Sequence, residues 1–298
     1  MRILAIVPFL NEATVLPRFL SSVEAQLRPP DRLVLVDDGS SDDSYALAAE
    51  FARRHAYATA LRRPPRPPSR DRLVTADELR AFLWGLERAG EPWDVLVKFD
   101  GDLELTPETI AFLERRLAED AGLGMAGSYL TEIDPSGART RLRIRPEHVH
   151  GATKFYRREC WEQIQPLPAL MGWDTVDEVK ARMRSWRTQS FALPGGDPIH
   201  LRKRGSYDGV HRGYRRAGRG AYSMGAHPVH VLLFAGRQMT ESPGIVGALN
   251  YVLGWVHAGL RRVERVEPEV RAHIREDQLQ RIRRRLHPQA RTRQVAAS

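Results

Sequence analysis

Three clusters in this chain of 298 residues combine carboxylates and small polar groups at spacings that could do chemistry. Asp100-Gly101-Asp102 sets two carboxylates one residue apart, so both can face one hard cation. Mg²⁺ and Mn²⁺ prefer such oxygen ligands, and the same ion could bind phosphate oxygens. Asp37-Asp38-Gly39-Ser40-Ser41-Asp42 joins carboxylates to a Gly-Ser pair, which taken alone is also ordinary turn chemistry. The third cluster is Pro8-Phe9-Leu10-Asn11-Glu12.

Each cluster follows a short aliphatic run. Residues 2–8, 32–37 and 94–99 are rich in Ile, Leu and Val, as buried parallel strands are. Between the first two, Val15, Leu16, Phe19, Leu20, Val23 and Leu27 recur at helical spacing over residues 12–27. A helix over about 42–54, a strand over 57–61 and a helix over 75–89 continue the rhythm. Alternating strands and helices predict an α/β fold with an open, mostly parallel sheet and flanking helices. In such sheets ligands bind beyond the carboxyl ends of the strands, where the three clusters fall. Pro64, Pro65, Pro67 and Pro68 predict a surface loop over 63–73. After about residue 122 strands and loops dominate, with helical stretches near 158–165 and 174–186. The Gly- and Arg-rich stretch 199–225 reads as irregular.

Composition narrows the classes. With 42% hydrophobic residues the chain can bury a sizeable core, which excludes wholesale disorder. A single cysteine, Cys160, forbids an internal disulfide and a cysteine-based zinc site, and fits a reducing, cytoplasmic compartment. Cys160 reads as a small packed hydrophobe. The N-terminus reads as a first strand and not as a signal peptide. Of the net charge of +9, residues 261–298 carry +6 (11 Lys+Arg against 5 Asp+Glu). The excess is thus concentrated in a tail, and no nucleic-acid partner is expected.

The ordered set Pro8-x-x-Asn11-Glu12, Asp37-Asp38-Gly39-Ser40 and Asp100-x-Asp102 resembles the family 2 glycosyltransferases over about residues 1–225. That resemblance implies a GT-A-like fold, an inverting sugar transfer from a nucleotide-diphosphate-sugar, and a divalent cation, Mn²⁺ or Mg²⁺. It implies that Pro8, Phe9, Asn11 and Glu12 line the nucleobase and ribose, and that Asp38 contacts the base. Asp100, Gly101 and Asp102 would face metal and diphosphate, with Asp102 the direct ligand and His200 a further one. Arg72 is a candidate nucleotide contact. Arg202, Lys203 and Arg204 either close over the diphosphate or form a solvated loop.

Gly151 and Ala152, in His150-Gly151-Ala152-Thr153-Lys154, resemble the segment lining the sugar and acceptor pocket. Relatives carry Glu-Asp at the helix start where this chain has Trp173-Asp174, so the Glu is missing. Asp174 is the expected base, Asp177 on the same helical face is its rival, and Trp173 could stack on a sugar ring. Asp174 could also serve as a helix N-cap.

The resemblance divides the chain into a nucleotide-binding half (about 1–121), an acceptor half (122–225) and a basic helical extension (226–298). Residues 244–260 are apolar but too short to span a membrane. They predict either a surface lying on an anionic membrane, peripheral on its inner face, or a hairpin that packs on protein. The expected partners are a UDP-, GDP- or dTDP-sugar and a carbohydrate or lipid-linked acceptor, in surface polysaccharide or glycolipid synthesis. Two rival functions stand beside this one: a non-catalytic nucleotide-sugar or polyanion binder, and a nucleotidyltransferase.

Overall fold

In a computed structural model of the protein, residues 1–65, 71–90, 92–133, 137–202, 209–240 and 244–286 are described. The first half follows the aliphatic rhythm closely. Strand β1 (Ile3–Phe9) leads to α1 (Leu16–Glu24), β2 (Arg32–Asp37), α2 (Ser44–Arg54), β3 (Ala58–Arg62), α3 (Asp77–Ala89) and β4 (Val95–Phe99). Helix α1 buries Leu16, Phe19, Leu20 and Val23 along one stripe and then stops at Glu24. Leu27 therefore lies beyond the helix and is exposed, unlike its place in the sequence pattern.

Next come β5 (Leu103–Glu104), α4 (Thr109–Glu119), β6 (Leu123–Ser128), β7 (Thr131–Ile133), β8 (Arg139–Arg141) and β9 (Thr153–Arg157). The segment closes with α5 (Arg158–Ile164), α6 (Trp173–Met183), β10 (Arg187–Phe191) and β11 (Ile199–His200). The main sheet has the order β10-β6-β9-β4-β1-β2-β3. Only β9 runs against its neighbours; the other pairings are parallel. A small second sheet orders β5-β11-β7-β8.

The core lies on both faces of the main sheet. One side collects residues such as Phe19, Phe51, Phe99 and Phe155; the other collects Phe82, Tyr156, Trp161 and Trp173. Each fully buried Leu, Ile or Val contributes about 1.5–3 kcal/mol relative to exposure. Helix α3 sits so close to the sheet that a Cβ on Gly85 would fall 2.6 Å from Cγ2 of Val36.

The chain divides into two compact units, Met1–Ala169 with Trp173–Arg204, and Leu170–Gly172 with Gly205–Ser298. The second unit holds α7 (Gly209–Ser223), α8 (Pro228–Gln238), α9 (Ile245–Leu260) and α10 (Pro268–Leu286). The stretch expected to be irregular therefore contains a four-turn helix. Its glycines are contact surfaces there: a Cβ on Gly218 would stand 1.9 Å from the Tyr251 carbonyl of α9. This helical unit begins near residue 205, ahead of the division at 225 suggested by the sequence, because α7 packs with α9. Among the described residues, no helix is long and apolar enough to cross a membrane.

Candidate active site

The carboxyl ends of β1, β2 and β4 adjoin because β1 lies between the other two, with Phe9 in register with Asp37. The loop after β1 is laced to the loop after β2. Asn11, held at φ 54°, donates its backbone N–H to Ser40 Oγ at 2.9 Å and accepts at Oδ1 from the Ser41 N–H at 2.8 Å. The Glu12 N–H donates to Ser44 Oγ at 2.7 Å. Gly39 supplies the left-handed turn, φ 96°, that this lacing needs. Pro8 and Phe9 form the end of β1, with Phe9 buried, and the Asp38 N–H donates to the Phe9 carbonyl at 2.9 Å.

The Asp38 carboxylate is buried and clasped by two arginines, Arg63 on Oδ1 and Arg72 on Oδ2. Arg72, the sequence's candidate nucleotide contact, is thus joined to Asp38. Arg63 was not legible as a site residue, since nothing local in the sequence ties it to Asp38.

Beyond β4, Asp100 and Asp102 converge with His200, their candidate ligand atoms all within 4.8 Å of one another. Strand register brings the histidine in: β11 pairs antiparallel with β5, setting His200 opposite Leu103, and the Leu201 N–H donates to the Asp102 carbonyl at 2.8 Å. His200 Nδ1 meets the Arg202 carbonyl. A carbonyl only accepts, so Nδ1 carries a proton and donates it there, which leaves Nε2 to face Asp102 Oδ1 at 3.6 Å. Asp102 Oδ1 is buried without a hydrogen-bond partner. Two carboxylates and an imidazole, with one carboxylate oxygen orphaned, are a donor set that fits a divalent cation.

Electrostatics distinguish the two aspartates. Burial, and then the Asp100 charge, raise the Asp102 carboxyl above its ordinary value. Burial acts upward on Asp100 too, but the Lys98 ammonium beside it prevails and holds it down. Lys98 is almost fully buried and also pairs with Glu78 of α3. A lysine in the apolar run Val95–Phe99, two residues before Asp100 and so on its side of the strand, was the available signal for this residue.

Burial drives the Glu12 carboxyl up to about 8 against the pull of Arg202, with Asp102 and Asp100 adding to the rise. Arg202 lies 2.9 Å from Glu12 Oε2 and donates to the Asn11 carbonyl at 3.0 Å. It closes on the β1 loop. Lys203 and Arg204, and residues 66–70 of the proline-rich loop, lie outside the described residues.

Asp174, the expected base, stands in the first turn of α6, partly exposed. A Cβ on Gly151 would fall 2.7 Å from Asp174 Oδ2, so glycine alone leaves the carboxylate its place. Ala152 is buried, and its carbonyl accepts from the Asp100 N–H at 3.2 Å, tying this segment to the paired aspartates. Gly101 approaches the other loop, its absent Cβ 3.3 Å from Phe9 Cβ.

Two expectations meet a different placement. Asp177 is 0% exposed. Its carboxylate accepts from Lys154 Nζ at 2.7 and 2.8 Å and from the Tyr156 hydroxyl at 2.6 Å. Enclosed and hydrogen-bonded through both oxygens, it cannot meet an acceptor as a rival base. Trp173 turns into the core with its ring centroid 5.8 Å from Lys98 Nζ, so it is not an open platform for a sugar. Beside Asp177, Glu178 accepts the Val149 N–H at 3.0 Å and holds His148 Nδ1 at 2.9 Å. This buried network fixes the segment that leads into Gly151.

A sequence model described as Glycosyl transferase family 2 matches residues 4–167. Polyprenol monophosphomannose synthase of Mycolicibacterium smegmatis is 29% identical over 182 residues, covering 55% of this chain and 64% of that protein, just under two thirds of its length. The mannosyltransferase PcManGT from Pyrobaculum calidifontis, solved with GDP-Man and Mn²⁺, superposes with TM-score 0.55 at 17% identity, over 87% of this chain and 73% of that one. A fragment of TarS from S. aureus gives TM-score 0.55 at 13% identity, over 92% and 77%. These two structures share the fold. The family model covers more than half of the chain, and the chain belongs to glycosyltransferase family 2. Asp174 and His200 lie beyond the matched residues.

Proposed function

Starting from that family membership, we propose that the chain is an inverting, divalent-cation-dependent transferase that moves a sugar from a nucleoside-diphosphate sugar to an acceptor hydroxyl. The observation that carries this reading is the convergence of Asp100, Asp102 and His200 at the carboxyl end of β4. A bound divalent cation would neutralise the charge developing on the departing diphosphate. Asp102 and His200 would hold it directly. Asp100 completes the set while Lys98 keeps it ionised.

Pro8, Phe9, Asn11, Glu12 and Asp38 form the nucleoside end, with Arg72 holding the Asp38 carboxylate in place. Gly101, Gly151 and Ala152 present backbone without bulk towards the sugar. Asp174 takes the acceptor proton as the acceptor oxygen bonds to the anomeric carbon and the bond from that carbon to the diphosphate oxygen breaks. The proton ends on the carboxylate and the nucleoside diphosphate leaves. Such a base contributes about 10²–10⁴-fold.

The two mannose-related relatives support GDP-mannose as the first donor to try among UDP-, GDP- and dTDP-sugars. The 29% identical synthase also supports a second acceptor reading, a polyprenyl phosphate. Its phosphate oxygen is already anionic near neutral pH. With that acceptor no proton has to be taken, and Asp174 would have no role as base. Either acceptor fits a place in polysaccharide or glycolipid synthesis at the inner face of a membrane.

The test is nucleoside-diphosphate release from GDP-mannose, UDP-glucose and dTDP-glucose, with polyprenyl phosphate or a free sugar as acceptor, in Mn²⁺ or EDTA. Acceptor-dependent release that EDTA abolishes supports the proposal. Tight donor binding without turnover on any acceptor favours the non-catalytic binder.

A further inference from the structure

Helix α9 inverts the usual arrangement of a surface helix. It buries its small residues Gly247, Ala248, Gly254 and Ala258 together with Tyr251. Its large apolar residues Ile245, Val246, Leu249, Leu253, Val256 and Leu260 face out, Leu249 at 57%, Leu253 at 51% and Leu260 at 80% exposure. Helix α8 does likewise, burying Val231 and Ala235 while Leu232 and Leu233 stay exposed. Water-facing helices turn such residues inward. Small residues at helix contacts and large aliphatic ones facing outward are the habit of helices whose solvent is lipid. The α7–α9 crossing shows that contact type: a Cβ on Gly254 would stand 2.0 Å from the Arg215 carbonyl.

We propose that the exposed apolar face of α8 and α9 seats the protein on an anionic lipid bilayer. The helices lie in the interface plane, since α9 has 16 residues and reaches about 24 Å, less than a bilayer's hydrocarbon core. Charge selects the lipid. Residues 209–260 contain a single carboxylate, Glu241, against Arg212, Arg215, Arg216, Arg219 and Arg237, and Arg261 and Arg262 follow α9 directly. A basic, apolar interfacial face matches acidic headgroups. A second copy of the chain fits less well, because residues 209–262 would bring seven arginines and one carboxylate to a symmetric contact. Residues 287–298 offer only Val295 as a large aliphatic side chain, too little to cover the face. The inference does not depend on the sugar-transfer reading.

Flotation of the full chain with vesicles tests it, comparing phosphatidylcholine alone with phosphatidylcholine containing phosphatidylglycerol. The wild type is expected to float with the anionic vesicles at least tenfold better than with neutral ones, and 0.5 M salt to weaken that binding. The double variant Leu249→Gln/Leu253→Gln should retain its melting temperature, since both side chains are exposed, yet lose about tenfold per leucine in binding. Failure of the folded wild type to float with anionic vesicles overturns the proposal, and so does a double variant that floats equally well. A lipid-free dimer that the double variant dissociates would assign the face to a second copy and also overturn it.

Discussion

A methyl group on Gly151 would stand 2.7 Å from Oδ2 of Asp174, so these two residues, one in the turn before β9 and one in α6, specify each other's place. Gly151→Ala should therefore push the carboxylate aside with little disturbance of the fold. With a hydroxyl acceptor the expected outcome is a kcat about 10² lower, as for a misplaced catalytic group, with donor KM within about threefold and melting unchanged. Steady-state kinetics on acceptor and donor separate these.

Asp174→Asn keeps the shape and removes the base. With a hydroxyl acceptor, kcat should fall about 10²–10⁴-fold while donor binding by calorimetry is preserved. With a phosphate acceptor the loss should stay within about tenfold, because that nucleophile needs no deprotonation. A donor affinity that falls along with kcat would place Asp174 in donor binding.

Asp177 should behave as a structural residue. Removing one partner of a buried, hydrogen-bonded pair costs about 3–5 kcal/mol. Lys154→Met, which strands Asp177, should lower the melting temperature by roughly 10 °C in a unit of this size. An unshifted melt with lost turnover would instead make the pair part of the chemistry.

Cys160 supplies a pH test. Burial drives its thiol up to about 12 from the ordinary 9.0. A thiol pKa raised by folding favours the fold at pH below 9, and that contribution is lost as pH climbs from 9 towards 12. Thiolate is the nucleophile, so iodoacetamide at pH 8 should label the native protein about 10³-fold more slowly than the unfolded chain. Rapid labelling under native conditions would contradict the buried placement.

The strands could be read because central parallel strands are near-continuous aliphatic runs, as at Ile3–Phe9 and Arg32–Asp37. Asp100 and Asp102 were legible for the same reason, standing directly after such a run. His200 came from the family resemblance, and the β5–β11 register that brings it to Asp102 has no local signature. The three-residue step from Asp174 to Asp177 gives a shared helical side, yet says nothing of where the core lies, and the core takes Asp177. Trp173 was misjudged in the same way. In α7, Gly213, Gly218 and Gly220 read as breakers, whereas Gly218 lets the backbone of α9 approach closely. The clasp of Arg63 and Arg72 on Asp38 joins segments 25 and 34 residues apart, a pairing only the folded chain specifies.

The central claim is a cation site that serves a nucleoside-diphosphate sugar, and calorimetry of GDP-mannose and GDP binding tests it most directly. Titrations of the wild type and Asp102→Asn would each be run with Mn²⁺ and with EDTA. The expected result is wild-type affinity at least about tenfold higher in Mn²⁺ than in EDTA, with Asp102→Asn showing the same weak affinity in both. Equal Mn²⁺ enhancement in wild type and variant, or none in the wild type across UDP- and dTDP-sugars as well, would contradict it.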